Sequence, residues 1–314
     1  MKKLLAFVLM VILCVSMLAF TSCDATSVFT AEEMLPFCDD TILTDTLTGV
    51  NAIELSADLY AVAFHNIPGD KVTIDYTTNE KTTITATVVD NKLVITQTCK
   101  PLTIHIGSMG TKLCLVVGIP ESWTGYSIDA DVDVGALGIE DSKASSIHVE
   151  LDTGACKIVA QNATNVSIES NTGAVLFQGK THTLNVDVNT GATKLEGTAN
   201  TVIVDTDTGA IAVNMDAQHI DLSTDTGAIN FEVINCKNIY VESDTGSIRG
   251  KIHGDKAQYS ILVDVELGSC NVKDQIGTSD KVLEISNDTG SANIEFVQER
   301  GKKQCLFLTI SSSP

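Results

Sequence analysis

Apolar and polar residues alternate on both sides of a short glycine motif that recurs through the second half of the chain. In residues 201–213, TVIVDTDTGAIAV, Val202 and Val204 stand seven and five residues before Gly209, and Ile211 and Val213 stand two and four residues after it. An alternation of period two is typical of a β-strand with one face in a core. Each copy of the motif therefore predicts two strands, one before and one after the glycine.

The motif, T-G-[AS], occurs with a nearly constant spacing. Successive motif glycines are 19, 18, 18, 18, 19, 22 and 22 residues apart, and one degraded copy reads E-L-G-S. A short and nearly fixed period is typical of a stacked array of repeats. The repeat glycines are Gly154, Gly173, Gly191, Gly209, Gly227, Gly246, Gly268 and Gly290.

Each glycine is predicted to form a corner between its two strands. Either a left-handed backbone or a close approach between neighbouring repeats would exclude a side chain there. The threonine before the glycine is expected to point inward at this crowded corner. Burial of about six inward side chains per repeat does not offset the conformational entropy that is lost when about 18 residues become ordered. A single repeat is therefore unstable, and the repeats must stack on one another.

These features predict an all-β fold: a parallel β-solenoid (β-helix-like) with 18–22 residues and two strands per coil. About eight or nine coils, the first at Gly135, would extend for about 40 Å. A left-handed hexapeptide helix is the alternative, because 18 is three times six. The alternation runs through longer stretches than that pattern uses, so we favour two-strand coils, and the handedness stays open.

The region before the repeats contains further short alternating runs. Strands are predicted at 59–64, 72–76, 83–89, 92–98 and 113–118, with turn residues between them. We interpret residues 52–130 as an N-terminal antiparallel β region that caps the first coil. Residues 23–51 are predicted to be a linker, and residues 131–314 the solenoid with a terminal strand.

The T-G-[AS] repeats, the strand-rich region before them and the apolar run at 113–120, LCLVVGIP, resemble the bacterial putative-adhesin β-strand-repeat domain. The resemblance covers about residues 50–298. It implies an adhesin role, although the family's function is undefined, and it supplies no catalytic residues.

The first 22 residues have the features of an export signal. Lys2 and Lys3 precede an apolar run that ends at Cys23, a position that resembles the lipobox of bacterial lipoproteins. Phe20 departs from the leucine usual there, and a plain exported protein is the alternative. We expect lipidation of Cys23, and hence a lipoprotein on the outer face of the bacterial cell membrane with membrane lipid as one partner.

The net charge of the chain argues against some classes of binding partner. The chain has 20 basic and 40 acidic residues, and loss of residues 1–22, which hold two lysines and no acid, leaves 18 and 40, a net charge of −22. Such charge argues against nucleic acid and against docking on anionic lipid. An extracellular protein or glycan is the expected partner.

The cysteines after Cys23 show no metal-binding or disulfide spacing. Seven remain, an odd number without a C-x-x-C pair. Cys156 and Cys270 each follow a repeat glycine by two residues and are predicted to be core residues six coils apart, too distant to form a disulfide.

Acidic residues occupy the outward positions two and four residues before the repeat glycines. Stacked coils would align them in two columns, and carboxylate oxygens arranged in this way could bind a divalent cation. Asn171 and Asn189 hold the same position and suit a turn better than a cation, so we favour backbone hydrogen bonds at the corner. We expect no cofactor and no metal site; the weak cation candidates are Asp205, Asp207, Asp225 and Asp244.

An enzyme is the alternative class of function. Arg249, Lys251 and His253 form a cluster that could handle a sugar, but no pair of carboxylates is singled out for acid–base catalysis. We therefore expect a non-enzymatic, adhesin-like scaffold or binding surface. The alternative is a carbohydrate-active β-helix enzyme that acts on extracellular polysaccharide.

Overall fold

The computed structural model describes residues 30–43, 49–99 and 113–298. Most of these residues lie in β-strands, and thirteen strands form one large, mostly parallel sheet that does not close on itself. No helix in this part of the chain is long and apolar enough to cross a membrane. The expectation of an all-β fold is confirmed. The predicted signal, Cys23 and the predicted terminal strand after residue 298 lie outside the described residues.

The N-terminal part contains one helix, α1 (Ala31–Met34), and a short 3-10 helix (Leu35–Phe37). Seven strands follow: β1 (Asp40–Leu43), β2 (Ala52–Leu59), β3 (Ala61–Ile67), β4 (Thr73–Tyr76), β5 (Thr82–Val89), β6 (Lys92–Cys99) and β7 (Cys114–Pro120).

The repeat region contains the remaining strands: β8 (Ser127–Ser142), β9 (Ser146–Thr226), β10 (Ile229–Ile234), β11 (Asn238–His253), β12 (Tyr259–Cys270) and β13 (Lys281–Val297). β9 runs through 81 residues because successive repeats follow one another without leaving the extended conformation. A 3-10 helix, Lys256–Gln258, separates β11 from β12.

Neighbouring repeats pair in parallel with their glycines in register, and we call each repeat in this array a rung. Gly135 lies opposite Gly154, and Gly246 lies opposite Gly290. A Cβ added to Gly209 would lie 1.5 Å from the carbonyl oxygen of Gly191 in the next rung. Each of the other repeat glycines meets a neighbouring glycine oxygen in the same way. Close approach between rungs therefore accounts for the corner glycine.

The core lies beneath the alternating apolar positions. In the rung of Gly227, Ile220 and Leu222 are buried before the corner, and Ile229 and Phe231 are buried after it. The position three residues before the glycine is also buried, but it is polar in several rungs: Ser170, Thr206, Thr224, Ser243 and Asn287.

The threonine directly before the glycine does not point inward in the later rungs. Thr208, Thr226 and Thr245 are exposed. The expectation of an inward threonine is wrong for these rungs, because the alternation of faces breaks where the chain bends at the corner.

The last two rungs are stacked in the reverse of their chain order. β13 lies between β11 and β12, and β12 forms the end of the sheet. β13 pairs with β11 from Val282 to Val297, whereas β12 ends at Cys270. A shortened strand inside the array would leave its neighbours unpaired, so β12 suits the end position. Cys156 and Cys270 are therefore seven rungs apart rather than six.

The N-terminal strands are not a purely antiparallel cap. β2 and β3 both pair in parallel with β8, β2 also with β6, and β3 also with β7. Tyr60, between β2 and β3, takes the place of a corner glycine, because a Cβ on Gly135 would lie 1.9 Å from the oxygen of Tyr60. Among the described strands, β1–β4, β4–β7 and β5–β6 are antiparallel. The antiparallel prediction is wrong for β2 and β3, which continue the array.

Residues 30–43, predicted as part of a linker, instead pack on this region. The Thr30 side chain accepts a hydrogen bond from the Glu33 backbone N–H at 3.3 Å and caps α1. Ala31 and Met34 are buried, and β1 pairs with β4. The folded part therefore begins before residue 52.

Candidate functional site

One outward surface of the array is acidic. We call it the acidic face and define it by the carboxylates two and four residues before the rung glycines. All of them are exposed: Asp131, Asp133, Glu150, Asp152, Glu169, Asp187, Asp205, Asp207, Asp225, Glu242, Asp244, Asp264, Glu266 and Asp288. The in-register pairing places neighbouring rungs about 4.8 Å apart, so these side chains form two columns. Ser223 and Ser286 interrupt one column, and Asn171 and Asn189 interrupt the other.

The position two residues before the glycine forms hydrogen bonds between rungs. The Asn189 amide donates to Asn171 Oδ1 at 2.9 Å, and the Asn171 amide donates to Asp152 Oδ1 at 2.6 Å. In these three rungs the side chains bond to one another rather than to the corner backbone. The expected backbone role therefore does not describe them.

The four cation candidates lie on the acidic face without a hydrogen bond or ion pair to any described residue. Asp205, Asp207, Asp225 and Asp244 are all exposed. Within residues 30–43, 49–99 and 113–298, no group of three or more His, Cys, Asp or Glu side chains is arranged to hold a metal ion. These aspartates are thus available to solvent and to a partner.

Partial burial and like charges raise the pKa of two carboxyls on this face. Burial, followed by the charges of Asp205 and Asp207, raises the pKa of the Asp187 carboxyl. Burial, followed by the charges of Asp133 and Glu150, raises the pKa of the Asp131 carboxyl. The neighbouring charges thus add to burial in disfavouring the ionised forms of Asp187 and Asp131, and a cationic group placed against them would favour those forms.

The strand segments after the glycines form a different outward surface with a shallow groove of about 410 Å³. We call it the groove face. Its polar lining includes Lys194, Asn214, Asn230, Arg249, Asn293 and Glu295. Arg249 is exposed and has no hydrogen bond or ion pair with the described residues. The groove face thus carries cations among its amides and carboxylates, whereas the positions that define the acidic face carry no cation.

The predicted cluster of Arg249, Lys251 and His253 is only partly brought together. Lys251 Nζ lies 2.8 Å and His253 Nε2 lies 2.7 Å from Glu232 Oε1. These two contacts, that of Lys251 first, hold the pKa of Glu232 below its usual value. Glu232 was missed from sequence, although it stands five residues after its glycine, as Lys251 does in the next rung.

Gly250 belongs to the packing beneath the groove. A Cβ there would lie 2.1 Å from Phe231 Cζ. The aromatic ring of one rung therefore occupies the space that a side chain at this position fills elsewhere, and Gly250 is explained by packing rather than by chemistry.

The cysteines of the described part are free thiols. Cys156 is buried, as predicted, whereas Cys270 is half-buried at the end of the sheet. Burial raises the pKa of the Cys156 thiol to about 12. Such a thiol is a core group and is poorly suited to nucleophilic chemistry.

No protein-family model matches the sequence, and no curated protein matches it. Seven chains of solved structure match. A putative adhesin from Bacteroides fragilis NCTC 9343 is 15% identical, with 82% of this chain and 98% of that chain covered and a TM-score of 0.40. A putative cell adhesion protein from Clostridium sporogenes ATCC 15579 is 13% identical, with 82% and 99% covered and a TM-score of 0.24.

A putative adhesin from Parabacteroides merdae ATCC 43184 is 12% identical, with 82% of this chain and 95% of that chain covered and a TM-score of 0.42. The chain is therefore similar to putative adhesins over most of its length. TM-scores this low support no conclusion about function, which has to be argued from the surface of this chain.

Proposed function

We propose that the protein is a non-enzymatic, adhesin-like cell-surface protein, anchored by a lipid on Cys23, that presents its acidic face to a macromolecular partner. The acidic face is the observation that carries the proposal. Its carboxylates repeat at the spacing of the rungs and are exposed in every rung. A repeated surface of one charge can bind a partner at several points at once, so weak individual contacts add up.

The partner that this face fits is a basic segment of an extracellular protein. Neighbouring carboxylates at about 4.8 Å repel by about 0.9 kcal/mol per pair in water before salt screening. Lysine or arginine side chains of a partner would remove that repulsion. We expect the affinity to fall as salt is added, because exposed charges are screened.

Calorimetric titration with an oligolysine peptide tests this reading. The triple variant Asp205→Asn, Asp207→Asn and Asp225→Asn should bind more weakly than the unaltered protein. The matched control, Glu196→Gln with Glu232→Gln and Glu295→Gln, removes three charges from the groove face and should leave binding nearly unchanged. Equal losses in both variants would reject a specific role for the acidic face.

We also propose that the sheet winds as a parallel β-solenoid with glycine corners. The parallel, in-register pairing of successive glycines supports this arrangement. A crystal structure in which the segments before and after the glycines form one flat layer would reject it.

The lipid anchor is tested by metabolic labelling in a bacterial host. Cys23→Ala should abolish incorporation of labelled palmitate and release the protein from the membrane fraction. Cys14→Ala, which alters another cysteine of the same N-terminal segment, should leave both unchanged. Membrane retention of the Cys23→Ala protein would rule out this anchor.

A carbohydrate-active enzyme is the second candidate, and the groove is the observation that favours it. Arg249 could bind a carboxylate of an acidic sugar, and the asparagines could bind hydroxyl groups. The lowered pKa of Glu232 keeps this carboxylate ionised, which suits a base or nucleophile rather than an acid. Turnover of an acidic or neutral glycan that is lost in Glu232→Gln would replace the binding proposal with this one.

A further inference from the structure

The described sheet has three outer strands, and only two of them are protected against pairing with another chain. β1 is four residues long and includes Asp40. β12 carries Asp264 and Glu266, and part of its edge is covered by Gln275, which exchanges backbone hydrogen bonds with Ile261 at 2.9 and 3.0 Å. Short length, charge and coverage are the usual protections of a sheet edge.

β5 has none of these protections. Its sequence, TTITATVV, contains eight residues without a charge or a proline. It pairs with β6 in an unbroken antiparallel register without a bulge. No other described strand pairs with it. The outer edge of β5, which we call the free edge, is therefore open for pairing.

The hairpin geometry shows which backbone groups face the free edge. Asp90 and Asn91 form a two-residue loop, with φ of 50° and 65°. Such a loop is closed by a hydrogen-bonded pair, so Val89 turns its N–H and C=O toward Lys92, and alternate residues of β5 do the same toward β6. The residues between them face outward: Thr82, Ile84, Ala86 and Val88. The Thr82 N–H is already bonded to the Asn79 oxygen at 3.1 Å.

We propose that β5 pairs with β5 of a second copy of this chain, antiparallel and around a two-fold axis at Thr85. In this register the outward groups of Ile84 meet those of Ala86, and about six hydrogen bonds form. Thr83 lies opposite Thr87, and Thr85 lies opposite itself, so the central pairs on the exposed face are threonine pairs. Threonine pairs are favourable across strands.

The threonines of β5 favour a second copy as the occupant, because their pattern is complementary to itself about Thr85. The chain has a net charge of −20, yet this strand lets two copies meet along uncharged residues. In this register Lys81 of each copy lies opposite Val89 of the other, and Glu80 lies opposite Asp90. The Glu80–Asp90 pairs are repulsive and weaken the dimer at both ends. Two eight-residue strands also bury less than the about 1,200 Å² of a standard interface, so the dimer is weak and forms where copies are concentrated.

Sedimentation velocity from about 10 µM to about 1 mM tests the proposal. The unaltered protein should shift toward a dimer with concentration. Thr85→Lys and Thr85→Glu should each stay monomeric, because each places two like charges on the axis, and an equimolar mixture of the two should dimerise. Thr98→Lys alters an exposed threonine of β6, away from the free edge, and should dimerise as the unaltered protein does.

Amide hydrogen exchange gives a second readout that does not need a variant. The amides of Ile84, Ala86 and Val88 should become protected as concentration rises, whereas those of Thr83 and Thr85 should be protected throughout by β6. A monomer at all concentrations, or dimerisation of Thr85→Lys, would overturn the proposal. Protection of Ile84, Ala86 and Val88 at the lowest concentration would overturn it too, because the chain itself would then cover the edge.

Discussion

Replacing the buried Thr224 with valine should stabilise the protein. Thr224 stands three residues before Gly227, and its side chain is 1% exposed. Its Oγ1 has no hydrogen-bond partner among the described residues. Another rung holds Val188 at the same position, fully buried, so a valine fits this column of the core.

The expected gain follows from the cost of the unpaired hydroxyl. Valine has nearly the shape of threonine, with a methyl group in place of the hydroxyl. A buried polar group without a partner costs about 1–3 kcal/mol, and replacing it with an apolar group of the same shape recovers part of that cost. We expect the free energy of unfolding to rise by about 1 kcal/mol. In a domain of this size, that raises Tm by about 2–4 °C.

Urea unfolding followed by circular dichroism measures the change. The midpoint should rise in Thr224→Val while the slope stays constant. Thr226→Val is the matched control, because Thr226 is exposed two residues further on and its replacement should change stability by less than about 0.5 kcal/mol. A fall in the stability of Thr224→Val alone would refute the reasoning, since the hydroxyl would then make a favourable hydrogen bond in the folded protein.

Three further predictions concern the corner, the acidic face and a thiol. Gly209→Ala should lower the free energy of unfolding by about 3 kcal/mol or more, because its Cβ would lie 1.5 Å from the Gly191 oxygen. Gly254→Ala is the control in the same urea experiment and should cost far less, because its Cβ would make only ordinary contacts with Tyr259, at 3.6 and 3.7 Å. Asp187→Asn should raise Tm at pH 7. The pKa of this carboxyl is raised in the folded protein, so its ionisation destabilises the folded state, and this loss of stability appears as pH rises through the folded-state pKa. The gain should vanish below about pH 3.8, and a gain that persists there would contradict the assignment. Cys156 should resist a thiol reagent at pH 8 until the protein unfolds, because burial raises its pKa to about 12; labelling of the native protein at Cys156 would contradict its burial.

Much of the repeat region could be predicted from sequence. The apolar residues at alternate positions, such as Ile220 and Leu222, are buried as predicted. The position of the glycine corner could be predicted, but its cause could not. A left-handed backbone and a close contact between rungs both require glycine, so the sequence alone does not separate them. Gly227 distinguishes the two, because its φ lies outside the left-handed range and its Cβ would still lie 1.5 Å from the Gly209 oxygen.

The candidate site was predictable in its columns but not in its contacts. The acidic positions of the array follow from the repeat. The ion pairs of Glu232 with Lys251 and His253 could not be read from the chain, because they join two rungs through side chains that the period alone does not orient.

The sequence by itself determined the strand content, the inward positions and the spacing of the corners, because alternation and glycine placement are local properties of the chain. Only the tertiary structure decided which edges meet: β2 and β3 joined the array in parallel, β13 moved between β11 and β12, and β5 kept a free edge. Pairing partners depend on strand length and on which neighbours offer a complete edge. Those properties belong to the assembled sheet and not to any one segment.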